Sequence, residues 1–213
     1  MGALTSHTRT HGAPPKEPWG YDEAFVDQFR RTIELKYTLM PYIYAQAVDS
    51  SAHGYPMLRT LFFEYPDDPT AWLIEDQYML GSDLLVAPLI EAGNSRRVYL
   101  PPGAWIDYQS GNVYTGGGWH QLTAGAIPII LLVKNHAVIP HAAVAQNTAA
   151  IDWKNIELRV FSTDSAPVSG LFTRPGSDVQ TLSLVSRGRD YVETDPQITR
   201  NKIRISIRVI RGN

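Results

Sequence analysis

Apolar residues at helical spacing dominate the stretch that begins near residue 22. Phe25, Phe29, Ile33, Tyr37 and Met40 follow one another at steps of three and four, which predicts an amphipathic helix. Asp22 is a suitable N-cap, and Gly54 is a suitable stop. Pro41 has no backbone N–H, so the helix should kink or restart there. Residues 1–20 are rich in Gly and Pro, which predicts a loop.

A continuous apolar run, PMLRTLFFEYP, follows this helix. Its length and lack of alternation predict a buried strand of a parallel sheet over Met57–Tyr65. Pro and Asp residues in the segment 66–69 should end the strand. Because a helix followed by a buried parallel strand is a unit of an α/β barrel, we expect the first part of the chain to belong to one.

Short apolar runs separated by Gly, Pro, Asn and Ser fill the chain from about residue 84 onward, which predicts a β-sandwich. The runs are LLVAPLI, RRVYLPP, AWIDYQ, IPIILLV, AVIPH, IELRVFS, TLSLVS and IRISIRV. With 213 residues the chain is shorter than the roughly 250 of a complete barrel. The predicted fold class is therefore α/β plus all-β: the end of a (β/α)8 TIM barrel over residues 1–80, then a β-sandwich over 81–213.

Composition excludes several classes of function. The net charge of -2 provides no broad cationic field for nucleic acid or an anionic membrane. Basic residues near the C-terminus alternate with Ile and Val, which is typical of a half-buried strand. The absence of cysteine excludes thiolate metal sites and disulfides. No apolar run is long enough for a membrane helix. The His and acidic residues have no metal-ligand spacing, so neither a metal nor another cofactor is predicted.

Five segments occur in a characteristic order: RTHG, LKYTLMPYIY, FFEYPDDP, QYMLGSDLLVAP and VYLPPGAWIDYQSG. Together they resemble the C-terminal part of glycoside hydrolase family 31. The resemblance implies a retaining α-glycosidase that hydrolyses a terminal bond of an α-linked xyloside or glucoside. In that family the nucleophile and the acid/base are both Asp and precede the RTHG position. The resemblance therefore implies that both lie outside this chain, which alone should be inactive.

The resemblance assigns one site residue, His11. In the family the His of R-x-H-G reaches the sugar in the −1 subsite, which suits an imidazole that can both donate and accept hydrogen bonds. Arg9 is expected to be an ion-pair partner instead. The segment from Ser6 to Arg9 resembles the α-xylosidase branch more than the α-glucosidase branch.

Asp67 and Asp68 form an apparent alternative catalytic pair at the end of the predicted barrel strand. A retaining glycosidase places its two carboxyl groups about 5 Å apart across the scissile bond. Adjacent residues rarely both point at one substrate, and the sequence PDDP fits a turn in which Asp side chains bond nearby amides. We therefore predict a turn.

Aromatic residues suggest a second kind of function. Those of the helix and the predicted strand, such as Tyr42 and Phe62, follow the faces of these elements and are expected in the core. The segment WIDYQSGNVYTGGGW, from Trp105 to Trp119, is expected to form strands and turns of the sandwich. If its rings are instead exposed, the alternative is a non-catalytic carbohydrate-binding β-sandwich module. A truncated reading frame without independent function is a third hypothesis.

If residues 1–80 are only the end of a barrel, their apolar surfaces should lack part of their usual cover. A helix and a strand without their barrel neighbours would leave apolar faces and a strand edge open. We therefore expect residues 1–80 to be loosely docked or to promote a homo-oligomer.

Overall fold

The computed structural model describes residues 2–9, 11–12, 16–187, 190–193 and 204–211. Helix α1 spans Glu23–Thr38, α2 spans Met40–His53 and α3 spans Leu61–Glu64. Asp22 caps α1 as predicted, because its Oδ1 accepts a hydrogen bond of 2.8 Å from the Phe25 N–H. The predicted restart at Pro41 is confirmed: Leu39 separates the two helices, and Pro41 lies in the first turn of α2. Gly54, with φ of 78°, ends α2.

The rest of the described chain is mainly β structure. Its strands are β1 (Leu58–Arg59), β2 (Tyr78–Leu80), β3 (Leu84–Pro88), β4 (Ser95–Leu100), β5 (Ala104–Asp107), β6 (Val113–Thr115), β7 (Gly118–Thr123), β8 (Ile129–Lys134), β9 (Ala137–His141), β10 (Asn155–Phe161), β11 (Val168–Phe172), β12 (Gln180–Arg187), β13 (Asp190–Glu193) and β14 (Arg204–Ile210). Short 3-10 turns lie at Gly2–Leu4, Pro18–Gly20, Ala71–Leu73 and Thr148–Ala150.

These strands form two large sheets and a ribbon. The first sheet has the order β1-β2-β3-β8-β5-β6, the second has the order β13-β12-β11-β9-β10-β14, and β4 pairs with β7 alone. Neighbours are antiparallel except for β9–β11 and β10–β14, which are parallel. The predicted sandwich is thus confirmed. Strands β1 and β2 join its first sheet although they precede residue 81, and the division at residue 80 stays a prediction.

The predicted parallel strand over Met57–Tyr65 is wrong. Within this segment only Leu58 and Arg59 form a strand, which pairs antiparallel with β2, and Leu61–Glu64 is helical. The turn brings the Arg59 guanidinium to the Glu64 carboxylate in a part-buried ion pair, in which Arg59 Nη1 lies 2.5 Å from Glu64 Oε1. In a strand these residues would be about 17 Å apart, at about 3.3 Å per residue. The pair can therefore form only where the chain turns, and it stabilises the turn.

The core lies on both faces of the first sheet. On β3, Leu84 and Val86 point toward the second sheet and share a cluster with Ile139 and Phe161. Their neighbours, Leu85 and Ala87, point the other way and pack under the β4–β7 ribbon. Because successive strand residues face opposite sides, this double coverage accounts for the unbroken apolar run LLVAP.

Helix α2 docks directly on the sandwich. Leu39 and Tyr42 have no exposed surface and belong to the cluster that contains Leu84. The Tyr42 hydroxyl donates to the Leu80 carbonyl at 2.8 Å and accepts from the Asp83 N–H at 3.2 Å. Gly81 lies between these partners with φ of 66°, and a Cβ there would come within 2.4 Å of the Tyr42 oxygen. The expectation of loose docking is therefore wrong for α2, since the sandwich covers its apolar face.

Helix α1 is more exposed than α2, and for α1 the expected loose docking or self-association stays a prediction. On α1, Phe25 is 39% exposed and stacks on Phe29 with ring centroids 6.1 Å apart, and just before the helix Trp19 and Tyr21 are 78% and 52% exposed. Across the described ranges, no helix has the length and apolar character needed to cross a membrane.

Replacing Tyr42 with Phe should destabilise the protein by about 1–3 kcal/mol, because the Leu80 carbonyl and the Asp83 N–H lose a buried partner. Urea unfolding measures this change. The matched control is Tyr37→Phe, at a half-buried position on α1, which should shift the free energy of unfolding by less than about 0.5 kcal/mol. Equal effects of the two variants would contradict the assigned role of the Tyr42 hydroxyl.

Candidate functional site

The loop that carries His11 is anchored to the helices and to the first sheet. Leu4, at its start, is fully buried in the cluster that contains Tyr42. The Leu4 carbonyl accepts a hydrogen bond of 2.9 Å from the Tyr78 hydroxyl. Further along, the Lys36 ammonium of α1 donates to the Thr8 hydroxyl at 2.9 Å. These contacts fix the base of the loop.

His11 itself is exposed, as is Arg9. Among the described residues, neither ring nitrogen of His11 has a hydrogen-bond partner, so both are available to a ligand. A neutral imidazole offers one donor and one acceptor to adjacent hydroxyl groups. The geometry therefore fits a polar contact with a ligand that approaches the loop from outside, and the expected ion pair of Arg9 has no counterpart among the described residues.

Asp67 and Asp68 lie in the predicted turn. Asp68 Oδ1 accepts from the Thr70 N–H at 3.0 Å, and its Oδ2 accepts from the Tyr99 hydroxyl at 2.7 Å. The Asp68 N–H donates to the Tyr65 carbonyl at 3.2 Å. Since its carboxylate already holds the turn to β4, Asp68 is not placed as one member of a catalytic pair. The prediction of a turn is confirmed.

The aromatic residues that were all expected in the core differ in their exposure. Tyr42 is buried as expected, but Phe62 and Phe63 are 37% and 41% exposed. Phe62 stacks on exposed Trp72, with ring centroids 4.7 Å apart. These rings are exposed because α3, which replaces the predicted strand, is only Leu61–Glu64 and buries Leu61.

In the segment between residues 105 and 119, the two tryptophans have opposite environments. Trp105 is 1% exposed, and its indole N–H donates to the Pro101 carbonyl at 2.8 Å. Trp119 is 46% exposed on the β4–β7 ribbon. Only Trp119 therefore offers a tryptophan surface to a ligand in this segment.

A polar network around the buried His141 joins the two large sheets. His141 on β9 donates from Nδ1 to the Ile139 carbonyl at 2.8 Å, so its Nε2 accepts from the Tyr108 hydroxyl, 2.6 Å away. Arg159 on β10 donates to the same hydroxyl at 3.1 Å and forms an ion pair with Glu157. A cavity of about 480 Å³ lies beside the network.

Burial sets the protonation of this network. Desolvation lowers the pKa of His141 to about 3 and raises the pKa of Tyr108 to about 12. Both groups are thus neutral near pH 7 and act as a fixed hydrogen-bonded pair rather than as an acid and a base. The sequence offers no signal for this pair, since its members are 33 positions apart.

Metal binding finds no support in the described ranges, where no group of three or more His, Cys, Asp or Glu side chains is placed to hold an ion.

Two family models match successive parts of the chain. Residues 1–46 match the one described as the glycosyl hydrolases family 31 TIM-barrel domain, and residues 54–139 match the glycosyl hydrolase family 31 C-terminal domain. Alpha-xylosidase XylQ of Lactiplantibacillus pentosus is 32% identical over 201 residues, which cover 91% of this chain and 26% of that protein. Alpha-glucosidase 2 of Bacillus thermoamyloliquefaciens is 33% identical over 71% of this chain and 20% of that protein.

Solved structures agree with these matches. A family 31 dextranase of Flavobacterium johnsoniae superposes with a TM-score of 0.74 at 27% identity, over 84% of this chain and 24% of that one. An α-xylosidase of Xanthomonas citri superposes with a TM-score of 0.81 at 24% identity, over 99% of this chain and 25% of that one, which demonstrates a common fold. The chain thus spans between 20% and 26% of the length of these proteins.

Acid should destabilise the protein through His141. Its pKa is about 3 when folded and about 6.5 when unfolded, so the unfolded chain alone takes up this proton between these values. The contribution is complete above about pH 6.5 and is lost as the pH falls toward 3. At pH 5 this single group should cost about 2 kcal/mol relative to pH 7, measured by urea unfolding.

The variant His141→Gln should lose this part of the pH dependence, whereas His7→Gln, at an exposed position, should retain it. Burial raises the pKa of Asp83, which acts in the opposite direction, but that effect is common to all three proteins and cancels in the comparison. An unchanged pH dependence in His141→Gln would contradict the assignment.

Proposed function

Because the chain belongs to glycoside hydrolase family 31, we propose that it completes an α-glycosidase that hydrolyses terminal α-glycosidic bonds with retention of configuration. Its N-terminal helices contribute to the end of the catalytic barrel, and its strands form the C-terminal β domain. The nucleophile and the acid/base are carboxyl groups of the barrel outside the present 213 residues. The substrate is an α-linked xyloside or glucoside.

The observation that carries this proposal is the continuity of the two family matches. Residues 1–46 match the barrel domain and residues 54–139 match the C-terminal domain, so the two matches follow one another along the chain. Helix α2 lies at the junction of the two matched ranges and packs against the β structure. Among the two possible substrates we favour the xyloside. The α-xylosidase-like segment from Ser6 to Arg9 supports this choice.

Within this enzyme we propose that His11 contacts the sugar in the −1 subsite. The support is its position in the anchored loop, its exposure and its two ring nitrogens without partners among the described residues. A hydrogen bond to a sugar hydroxyl holds the ring while the carboxyl groups act. His11 is a substrate-binding residue in this scheme and transfers no proton.

A chimera tests the role of His11. The corresponding C-terminal region of XylQ is replaced by this chain, and hydrolysis of an aryl α-xyloside is measured. His11→Ala should lower kcat/KM by about 10- to 100-fold, which corresponds to about 1.4–2.7 kcal/mol of transition-state stabilisation. The matched control is His7→Ala in the same exposed loop, which should remain within about twofold of the parent.

Two outcomes would contradict the proposal. An active chimera that is equally affected by both substitutions would remove the specific role of His11. A folded chimera that hydrolyses neither aryl α-xyloside nor aryl α-glucoside would count against the proposed function of the whole chain.

The chain of 213 residues should by itself give no turnover of aryl α-xyloside or aryl α-glucoside. The physical reason is that retaining hydrolysis requires two carboxyl groups about 5 Å apart across the scissile bond, whereas Asp68 is held in its turn by Thr70 and Tyr99. Turnover that disappears in Asp67→Asn would show that the chemistry resides in this turn after all.

A further inference from the structure

A second concave surface lies on the β4–β7 ribbon. It is a cleft of about 370 Å³ between the ribbon and the segments around Asp76 and Glu91. This volume falls in the range of about 300–1,000 Å³ that is typical of small-molecule sites. We refer to it as the Trp119 cleft, after the aromatic residue that lines it.

Trp119 is an exposed aromatic surface held in a defined orientation. The ring of buried Tyr99, directly opposite on β4, contacts it edge-on, with centroids 5.6 Å apart and an angle of 61° between the rings. The Arg97 guanidinium lies 5.1 Å from the Trp119 ring centroid. Arg97 is exposed, so its side chain can move off the ring when a ligand approaches.

One wall of the cleft is rigid. Arg96 Nη1 donates to the Pro88 carbonyl at 2.7 Å and to the Asp76 carbonyl at 3.1 Å, and its guanidinium also pairs with the Asp76 carboxylate. These bonds connect β4 to the end of β3 at Pro88 and to Asp76, just before β2. The geometry of the wall is therefore set before any ligand binds.

Three polar groups of the cleft have no hydrogen-bond partner among the described residues. In the part of the chain that the structure describes, the Glu91 carboxylate and the Arg97 guanidinium make neither a hydrogen bond nor an ion pair, and the Trp119 indole N–H donates to no acceptor. Gln121, beside them, contacts only Ser95, through its amide nitrogen at 3.3 Å. The cleft thus combines a carboxylate, a guanidinium and an exposed indole that carries its own N–H donor.

The charges of the cleft select the class of ligand. Two carboxylates, of Asp76 and Glu91, balance two guanidinium groups, of Arg96 and Arg97, so the lining has no formal net charge. A neutral ligand with many hydroxyl groups can bond to both kinds of group, because each hydroxyl can donate to a carboxylate and accept from a guanidinium. The electron-rich face of an indole attracts the C–H groups of such a ligand.

We propose that the Trp119 cleft is a saccharide-binding site, separate from the loop that carries His11. A pyranose ring lies on the Trp119 indole after Arg97 moves aside, and its hydroxyl groups bond to Glu91, Arg97 and the indole N–H. The choice of α-linked saccharides as ligands rests on the proposed function, since an α-glycosidase meets such chains. The site would hold substrate near the enzyme without taking part in hydrolysis.

Calorimetric titration of the 213-residue chain with maltotriose, isomaltotriose and a xyloglucan oligosaccharide tests this proposal. At least one of them should bind in a saturable manner. Trp119→Ala should weaken that binding at least about tenfold, because the stacking surface is lost. Trp119→Phe, which keeps an aromatic face, should retain most of the affinity.

The matched control is Trp72→Ala. Trp72 is also exposed, at 58%, but it stacks on Phe62 outside the cleft, and its loss should change the affinity less than about twofold. Circular dichroism verifies that each variant is folded. Flat titrations with all three saccharides, or binding that Trp119→Ala leaves intact, would overturn the proposal. Because this test measures binding at Trp119 and not turnover, its failure is distinguishable from failure of the His11 experiment.

Discussion

The hydroxyl of Tyr42 joins the two kinds of structure in this chain. It donates to the Leu80 carbonyl and accepts from the Asp83 N–H, so the turn between β2 and β3 is bonded to helix α2. Both backbone groups would otherwise lack this partner at a buried position, which costs free energy. The contact requires a residue without a Cβ between them, and Gly81 meets that requirement with its positive φ. Helix and sheet are thereby held in one relative position.

The location of the His11 loop follows from that position. Leu4 packs in the same cluster as Tyr42, and its carbonyl bonds to Tyr78 on β2. Lys36 of α1 holds Thr8 further along the loop. His11, the proposed sugar contact, thus lies on an exposed loop whose base is held by β2 and by α1.

The β domain itself is organised by polar contacts as well as by its apolar core. Tyr108, His141 and Arg159 connect the two sheets through hydrogen bonds around the buried His141 ring, while the guanidinium of Arg159 stays partly exposed and paired with Glu157. On the opposite side, Arg96 fastens the ribbon to Asp76 and Pro88. In the His141 network both ring nitrogens and the Tyr108 hydroxyl have hydrogen-bond partners. The Trp119 cleft, beside the Arg96 bonds, retains polar groups without partners among the described residues. This difference distinguishes a structural network from a candidate binding surface.

Local sequence determined much of the architecture. The spacing of apolar residues and the capping preference of Asp22 define α1, Pro41 and Gly54 define α2, and short apolar runs between turn residues define the main strands. The order of the family segments from RTHG to VYLPPGAWIDYQSG identifies the family, because such segments are contiguous and need no tertiary information. The PDDP turn is likewise local, since Asp68 bonds to Thr70 two positions away.

Only the tertiary structure decided the remaining features, because they arise from residues distant in the chain or from the burial of a charge. The run PMLRTLFFEYP has the composition of a buried strand, yet it forms a short strand and a helix, and the turn between them is bridged by the Arg59–Glu64 pair. Trp105 and Trp119 are both tryptophans in a turn-rich segment, but Trp105 lies between a sheet and the ribbon while Trp119 points outward. Side-chain type specifies what a residue can bind, whereas packing from elsewhere in the chain decides whether a ligand can reach it.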